Sequence, residues 1–492
     1  MASAESEETG LLFIGGEWRP SRSDRWQEVR DPSTGRRIGR ASVATRDEAS
    51  AAVEAAASVE ESWGATPIHE RARLLRALSD RLAADSAGLA RLIAQEVGKP
   101  IVDSRVEASR AVGVYQLAAD EARHLTGESF PADAYAYPAG NERRFLFSVR
   151  DPIGVVVAIS PFNFPLNLLS HKVAPALAAG NPVVVKPTSA APLTALRLAK
   201  HAEAAGFPKG VLNVVVGPGG EVGDTLIEHP RTRLITFTGS TSVGKAIAGK
   251  AGKNAKRVIL EMGGMDPFIV LDDAPLDAAV AAAVRGAFGY SGQVCTASKR
   301  LLVSDAVADR FASALTERAR QLKVGPALAE DTQVGPVIDS AALDRLDRLV
   351  GDAVSHSAKV LLGGERASEL APGTFFRPTV LDSVGTDSQI TQEEPFGPVV
   401  PILRFHEIDD AVRIANGTAY GLQAAVYTND IRRAFSLAKR IRAGGVHIND
   451  PTSLRWDALP FGGVKESGLG REGLRYAMEE MTEVKLISVN YA

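Results

Sequence analysis

The sequence has 492 residues, of which 45% are hydrophobic and 23% charged, values typical of globular proteins. This length predicts about three domains, and the formal net charge of −3 excludes the strongly basic surface of a general nucleic-acid-binding protein. The single cysteine excludes an intramolecular disulfide and a multi-cysteine zinc site.

The N-terminus is acidic and resembles neither a secretory signal nor an Arg-rich transit peptide. No uninterrupted apolar run reaches the roughly 18 residues that a membrane-spanning helix needs. These features predict a cytoplasmic protein with a reduced thiol that binds neither membrane nor nucleic acid.

The first 150 residues mix short strands with helices. The capping-box pattern Thr45–Glu48 predicts the start of a helix that continues to Trp63, and another helix is expected over Asp103–His124. Apolar side chains then alternate through Phe145, Phe147 and Val149. This alternation, in the Gly- and Pro-containing segment 127–150, predicts a β excursion from the main body.

Four short apolar runs then alternate with helical stretches: Val183–Val185, Val211–Val216, Leu234–Phe237 and Val258–Leu260. Runs of this kind are typical of strands buried on both faces of a parallel sheet. A second alternation begins at Phe268 and continues through a predicted helix over Ala306–Leu322. The sequence therefore predicts two α/β domains and a small β element.

Glycine clusters follow two of these strands, at 217–220 and within 237–244, and Ser240 adds a hydroxyl. Glycines there let a phosphate approach the first N–H groups of a helix. Neither cluster matches the G-x-G-x-x-G fingerprint, and each alone is also typical of a plain tight turn. Their recurrence at the same end of successive strands favours a ligand site.

Cys295 and Glu261 are candidates for chemistry, although each has a simpler interpretation. A lone cysteine is commonly an inert small apolar residue, but Cys295 lies in the loop-like, partly polar segment Gly292–Ala297. Glu261 ends an apolar run and precedes two glycines, so it is either a capping residue or a functional acid whose pKa burial would raise.

Three further segments are ambiguous in the same way. Asn163 lies between two prolines, either in a rigid turn or as a fixed hydrogen-bond donor. Lys186 ends a strand, where its ammonium is either solvated or available to bind a ribose or phosphate. Glu394 and Phe396 are either functional residues or, equally, part of an exposed acidic turn. The histidines show no metal-ligand spacing, so no metal site is predicted.

Together these motifs resemble the aldehyde dehydrogenase superfamily over nearly the whole chain, from Phe13–Trp18 to Pro460–Gly473. The resemblance implies an α/β fold with a Rossmann-like dinucleotide-binding domain (1–126 and 151–261) and an α/β catalytic domain (262–477). It also implies a small β oligomerisation arm (127–150 and 478–492), used in homodimers or homotetramers.

The resemblance makes Cys295 the nucleophile, Glu261 the general base and Asn163 the oxyanion-hole amide. It implies NAD or NADP as the cofactor, with contacts from Lys186, Ser189, Gly219, Phe237, Ser240, Glu394 and Phe396. An aldehyde would then pass through a cysteine thiohemiacetal and a thioester to a carboxylic acid. The presence of Glu261 favours hydrolysis of the thioester over acyl transfer to coenzyme A.

Two departures from the family pattern matter for specificity. Ser189 replaces the glutamate that NAD-preferring members often carry, which removes a repulsion of the NADP 2′-phosphate. His171 and Gly289 stand where succinic semialdehyde dehydrogenases place arginines, which argues against that substrate. Pro395 also replaces a common aliphatic residue, for which little effect is expected.

The expected substrate is a small polar or anionic aldehyde of the lactaldehyde, glyceraldehyde 3-phosphate or sulfolactaldehyde type. His171 and Arg455 could hold its anionic group, or Arg455 could instead pair with Asp457 or another surface acid. Succinic semialdehyde or a broad range of aldehydes is the alternative. A cofactor-independent Cys-Glu-Lys hydrolase and a non-catalytic binding protein remain as competing functions.

Overall fold

The structure is a computed structural model that describes residues 7–491. Residues 1–6 and Ala492, the outermost parts of the predicted dinucleotide-binding domain and arm, lie outside the described residues. No helix in the described range is long and apolar enough to cross a membrane.

The helices are α1 (Arg46–Ala57), α2 (Glu60–Gly64), α3 (Ile68–Ala84), α4 (Ser86–Val97), α5 (Ile101–Glu121), α6 (Asn167–Ala178), α7 (Pro192–Ala204), α8 (Asp224–Glu228), α9 (Thr241–Lys253), α10 (Leu276–Phe288), α11 (Ala308–Arg320), α12 (Ser340–Ser355), α13 (Ile408–Asn416), α14 (Ile431–Arg440) and α15 (Leu474–Glu480).

The strands are β1 (Glu8–Gly10), β2 (Leu12–Ile14), β3 (Glu17–Arg19), β4 (Trp26–Arg30), β5 (Arg37–Ser42), β6 (Ser129–Phe130), β7 (Arg144–Pro152), β8 (Val155–Ile159), β9 (Val183–Lys186), β10 (Leu212–Val214), β11 (Thr232–Thr238), β12 (Arg257–Glu261), β13 (Pro267–Val270), β14 (Arg300–Ser304), β15 (Lys359–Leu362), β16 (Thr379–Asp382), β17 (Val399–Phe405), β18 (Gln423–Tyr427), β19 (Gly445–Ile448), β20 (Gly468–Leu469) and β21 (Thr482–Asn490).

The predicted parallel sheet forms the first α/β unit. Its strand order is β20-β12-β11-β8-β9-β10-β2-β3, with β12, β11, β8, β9 and β10 parallel and the outer strands antiparallel. The register pairs Ile159 with Lys186 and Thr238 with Glu261. The strands therefore end together, and the side chains that follow them meet at one edge of the sheet.

A second sheet has the order β15-β16-β17-β14-β13-β18-β19, parallel throughout except for the edge strand β15. Its central strands are fully buried beneath helices, as expected of apolar runs in a parallel sheet. The loops that enter β14 and β17 carry Cys295 and Glu394, respectively. Both loops precede their strands, so they lie at the amino ends of the second sheet.

Two small sheets complete the fold. Strands β1, β5 and β4 form one of them, and β21, β7 and β6 form the other. The second small sheet confirms the β structure expected in 127–150: β21 pairs antiparallel with β7 over nine residues, from Thr482 opposite Pro152 to Asn490 opposite Arg144. The last strand of the chain thus pairs with one in its first third.

The helical predictions hold with shifted ends. Thr45 and Glu48 form the predicted capping box, but the helix ends at Ala57 and a separate short helix holds Trp63. The expected helix over Asp103–His124 begins at Ile101 and becomes a 3₁₀ turn after Glu121. Such shifts are common because helix ends depend on local caps.

The chain returns to the first sheet before residue 477, the predicted end of the catalytic domain. Strand β20 pairs with β12 at the edge of the first sheet, and α15 packs against α6. Leu474, Met478 and Met481 join the hydrophobic core of the first unit. The chain after residue 467 therefore returns to the first α/β unit, a long-range contact that local sequence patterns do not reveal.

Candidate active site

One large cavity lies between the carboxyl ends of the first sheet and the amino ends of the second. Its volume is about 1270 Å³. It is lined by ten of the twelve side chains or backbone positions selected from the sequence: Cys295, Glu261, Asn163, Lys186, Ser189, Gly219, Phe237, Ser240, Glu394 and Phe396. His171 and Arg455 are not among its lining residues.

The turn before Cys295 has an unusual backbone. Tyr290, Ser291 and Gly292 follow one another with φ values of 47°, 55° and 69°. A Cβ on Gly292 would lie 2.1 Å from the Gly397 carbonyl oxygen, so this position requires glycine. The Ser291 hydroxyl donates to the Gly335 carbonyl at 2.8 Å. The turn is thus fixed from several sides, and it presents a partly exposed Cys295 to the cavity.

Asn163 is held against this same turn. Its buried side-chain nitrogen Nδ2 donates to the Gln293 carbonyl at 3.0 Å. A primary amide has two N–H groups, so one hydrogen is left for another acceptor near Cys295. The ring of Phe162 meets that of Phe396 edge-on at 5.7 Å between centroids, which packs the Asn163 segment against the opposite wall of the cavity.

A buried ion pair contacts both the Asn163 segment and the turn before Cys295. Lys99 and Glu107 pair with no solvent exposure of either side chain. Glu107 Oε1 accepts the Leu166 N–H at 2.9 Å, just after Asn163, while the Lys99 ammonium lies 3.5 Å from the Phe164 ring centroid and 4.4 Å from that of Tyr290. The pair therefore fixes the Asn163 segment and the turn before Cys295 relative to one another.

Glu261 is 1% exposed, and neither carboxyl oxygen finds a hydrogen-bond partner within residues 7–491. Burial and the negative charge of Glu472 raise the pKa of Glu261 to about 8, against the opposing effects of Cys295, Arg455 and Lys172. A carboxyl group with a pKa near the working pH is suited to accept a proton during a reaction.

The thiol of Cys295 has an environment of mixed charge. Burial raises the pKa of Cys295 well above its ordinary value, and the charge of Glu261 raises it further. The cations of Lys299 and Arg455 oppose this effect. The thiol therefore depends on these cations, or on a base, to ionise near neutrality.

The groups at the Lys186 end of the cavity have few protein partners. The Lys186 ammonium donates only to the Pro187 carbonyl at 3.2 Å, with no carboxylate paired to it in the described chain, and burial lowers its pKa to about 8. Ser240 precedes α9, whose first N–H groups receive no side-chain cap from the residues described. This set of free donors is suited to an anionic ligand.

His171 and Arg455 lie in a separate cluster of buried charges. Arg455 pairs with Glu472 at 3.0 Å, and His171 Nε2 lies 2.9 Å from an Asp457 oxygen that Arg110 also binds. Arg455 does pair with a carboxylate, but its partner is the buried Glu472, and neither Asp457 nor a surface acid pairs with it in the described residues. Burial lowers the pKa of His171 to about 4, so the imidazole is neutral near pH 7.

Sequence reasoning missed three of the six members of this cluster, Arg110, Lys172 and Glu472. Lys172 pairs with Glu472 at 2.7 Å across 300 positions of the chain, and Arg110 reaches Asp457 across 347. Neither pair leaves a local pattern. The buried cation Lys299, which contacts the Cys295 carbonyl, was also missed, although its charge four residues from the only cysteine was a usable signal. In residues 7–491 no group of three or more acidic, histidine or cysteine side chains is arranged to hold a metal ion.

Comparison with known proteins supplies the family. The sequence pattern of the aldehyde dehydrogenase family matches residues 18–487. The chain is 40% identical over 483 residues to lactaldehyde dehydrogenase of Methanocaldococcus jannaschii, covering 97% of this chain and all of the relative. It is also 40% identical over 489 residues to mitochondrial succinate-semialdehyde dehydrogenase of Arabidopsis thaliana, covering 99% and 91%, respectively.

Solved structures agree with these relatives. NADP-dependent glyceraldehyde-3-phosphate dehydrogenase from Bacillus halodurans, in complex with NADP, superposes with a TM-score of 0.95 at 39% identity, covering 99% of this chain and all of that one. The predicted Rossmann-like α/β fold is thereby confirmed. The chain belongs to the aldehyde dehydrogenase family and is an NAD(P)-dependent oxidoreductase.

Proposed function

We propose that the protein oxidises a small polar or anionic aldehyde to its carboxylic acid through a covalent intermediate on Cys295. The observation that carries the proposal is the convergence of Cys295, Glu261 and Asn163 on one cavity with the candidate cofactor contacts. Lactaldehyde, glyceraldehyde 3-phosphate and sulfolactaldehyde are the candidate substrates of this type. The competing proposal is specificity for succinic semialdehyde or for a broad range of aldehydes.

The cavity residues fit a dinucleotide. The volume of about 1270 Å³ exceeds that of ordinary small-ligand sites, and Cβ atoms at Gly219 or Gly220 would meet no described atom within 4 Å, so the wall there is open. Lys186 and the N-terminus of α9 offer donors to ribose and phosphate groups. The bound dinucleotide supplies the hydride acceptor.

The residues around Cys295 support the first step. The thiolate sulfur forms a bond to the aldehyde carbon, and the carbonyl electron pair moves onto oxygen. The free N–H of Asn163 and the Cys295 backbone N–H can donate to this oxygen, an interaction commonly worth about 3–4 kcal/mol. Loss of hydride from the same carbon, with return of the oxygen electron pair, leaves a thioester on Cys295.

Glu261 supports the second step. With its pKa raised to about 8 by burial, it can accept a proton from water as the water oxygen adds to the thioester carbon. The carbon–sulfur bond then breaks, the carboxylic acid departs and sulfur leaves as the thiolate. In total, aldehyde, oxidised dinucleotide and water give acid, reduced dinucleotide and a proton.

The charges behind Cys295 support a polar or anionic substrate. Arg110, Lys172 and Arg455 are three cations that pair with two carboxylates, Asp457 and Glu472, and the raised pKa of the neighbouring Glu261 keeps that third carboxyl group largely neutral near pH 7. Arg455 Nε and His171 Nδ1 are buried without hydrogen-bond partners in the described residues. Buried polar atoms left in this way are suited to an oxygen-rich ligand.

Ser189 supports the use of NADP as well as NAD. It lines the cavity three residues after Lys186, and no carboxylate stands at this position to repel a 2′-phosphate. The nearby Lys186 ammonium adds positive charge without a paired acid among the residues described. The proposal is dual cofactor use, with NADP accepted at least as well as NAD.

The β arm supports a homodimer or homotetramer. Strand β21 is the edge of its sheet, and it exposes apolar Val484, Leu486 and Val489. An exposed apolar edge strand is a surface that a second copy can cover. Light scattering should give two or four times the chain mass, and a monomer at micromolar concentration would contradict this part of the proposal.

The test of the function is a panel of aldehydes, each run with NAD and with NADP while the absorbance of reduced nicotinamide is followed. The panel pairs anionic and polar aldehydes, such as glyceraldehyde 3-phosphate and lactaldehyde, with neutral propionaldehyde. We expect the highest kcat/KM with a polar or anionic member. A preference for long apolar aldehydes, or no reduction with any aldehyde, would overturn the proposal.

A further inference from the structure

A buried ammonium lies between the nucleophile and the cofactor end of the cavity, and the proposed steps do not use it. Lys299 is 2% exposed. Its Nζ donates to the carbonyl oxygen of Cys295 and lies 2.9 Å from Glu394 Oε1. One cation therefore contacts both the residue that carries the thiol and a candidate ribose-binding carboxylate.

The backbone of Lys299 is itself fixed. Its N–H donates to the carbonyl of Asp266, the residue just before β13, at 3.2 Å, and the residue after Lys299 begins β14. The ammonium thus extends from the rigid end of the second sheet to two loops, those carrying Cys295 and Glu394. This arrangement is suited to holding the two loops at a fixed separation.

The charges facing Lys299 explain why it stays protonated although it is buried. Burial opposes its charge, but Glu394 and Asp266 outweigh burial and raise the pKa of Lys299 above its ordinary value. Asp266 is only partly ionised near neutrality because burial raises its pKa to about 7. Glu394 is therefore the main partner that compensates the lysine charge.

We infer that Lys299 is a positioning residue of the active site: its ammonium fixes the Cys295 backbone against Glu394 and electrostatically favours the thiolate form of Cys295. The role of Glu394 in this statement rests on the proposed function, whereas the effect on the thiol does not. Glu261 and Arg455 are the other charged groups that act on the thiol, the first opposing ionisation and the second favouring it.

The inference makes two predictions of opposite sign. Lys299→Met removes a positive charge near the thiol, so the thiol should ionise only at higher pH. Glu394→Gln removes the negative charge that compensates Lys299, so the thiol should ionise at lower pH. An opposite charge within hydrogen-bonding range commonly shifts a pKa by about 1–3 units.

The measurement is the rate of alkylation by iodoacetamide as a function of pH, on the full-length protein without cofactor. Because Cys295 is the only cysteine in the sequence, this rate reports one site. We expect the midpoint of the profile to rise by about one pH unit or more in Lys299→Met and to return toward wild type in Lys299→Arg. In the double variant with Lys299→Met, Glu394→Gln should no longer lower the midpoint.

Arg300→Met is the matched control. Arg300 is the adjacent buried cation, but it donates to the carbonyls of Met265, Ile414 and Ala415 and not to Cys295. It should lower the melting temperature as Lys299→Met does, while leaving the alkylation midpoint in place. Equal midpoints for wild type and Lys299→Met, or an equal shift in Arg300→Met, would overturn the inference.

If Lys299→Met does not fold, Glu394→Gln alone decides, since an unchanged or raised midpoint contradicts the inference. The proposed function can fail separately. A protein that oxidises no aldehyde but shows these midpoint shifts would retain the role of Lys299, whereas active enzyme with unshifted midpoints would refute that role alone.

Discussion

The two sides of Cys295 are built on different principles. On the side proposed to bind the cofactor, a large open cavity is lined by backbone, glycines and donors such as Lys186 that have few protein partners. On the other side, Arg455, His171 and Arg110 are all bound to carboxylates of the chain itself. The first side is a preformed space for a ligand, whereas the second is a compact charge network that a substrate must share or rearrange.

This difference explains why the class of cofactor is easier to infer from the sequence than the class of substrate. Glycines and helix starts that form the open side leave contiguous motifs in the sequence. The paired side depends on which carboxylate each cation selects, and a single change there alters the balance of charge. Variants of each side should therefore separate the chemistry, the substrate preference and the cofactor preference.

The largest effect should come from the atom shared by both sides. Cys295→Ser replaces the thiol by a much weaker nucleophile, so kcat/KM for aldehyde oxidation should fall by about 10⁴-fold or more. Dinucleotide binding, measured by fluorescence titration, should stay within a few-fold of wild type because the open side is untouched. Oxidation equal to wild type would remove Cys295 as the nucleophile.

Glu261→Gln should separate the two chemical steps. We expect a normal burst of reduced dinucleotide in stopped-flow measurements, followed by turnover slowed by about 10²–10⁴-fold, because only thioester hydrolysis lacks its base. Since burial raises the pKa of Glu261 to about 8 and the ionised form is the base, the wild-type hydrolysis rate should increase as pH rises through that value. The absence of a burst would place Glu261 before hydride transfer.

Arg455→Met tests the paired side alone. It removes a cation that can donate to an anionic group, so kcat/KM for an anionic aldehyde should fall by about 10–100-fold relative to neutral propionaldehyde. Taking the ratio of the two substrates cancels general damage caused by leaving Glu472 with Lys172 as its main cationic partner. An equal loss with both aldehydes would assign Arg455 a purely structural role.

Ser189→Glu should have the smallest effect and act only on the open side. A carboxylate at this position would repel the 2′-phosphate, so the ratio of kcat/KM with NADP to that with NAD should fall by about 10-fold. Ser189→Gln is the control because it adds similar volume without charge. Parallel changes in the two variants would show that size, and not charge, acts at this position.

The sequence was sufficient for the features that local patterns encode. Apolar runs alternating with helices predicted the parallel sheets, and glycine-rich strand ends predicted the edge where the cavity lies. The role proposed for Cys295 depended on the resemblance to the family, because a lone cysteine has no local signature of reactivity. Arg455 could be selected from the sequence as a cation. Its pairing with Glu472 could not be predicted, because no sequence pattern links the two residues.

Other features required coordinates for a physical reason. Lys172 and Glu472 are joined across 300 positions, and the return of β20 and α15 to the first sheet is equally remote in sequence. Burial also decides acidity: Glu261 and Glu472 are both buried, yet the pKa of Glu261 is raised, whereas Lys172 and Arg455 overcome burial and hold that of Glu472 well below its ordinary value. No property of an isolated glutamate distinguishes the two.

The closing strand has a consequence for the order of events during synthesis. β7 pairs with β21, and the first core is completed by α15, so the N-terminal half cannot finish folding on the ribosome before the last residues emerge. A chain ending at residue 467 should therefore leave the β7 amides that face β21, and not those that face β6, open to hydrogen exchange, while the amides of the second sheet are protected. Protection of the β21-facing amides in that truncated chain would show that β7 folds independently of β21.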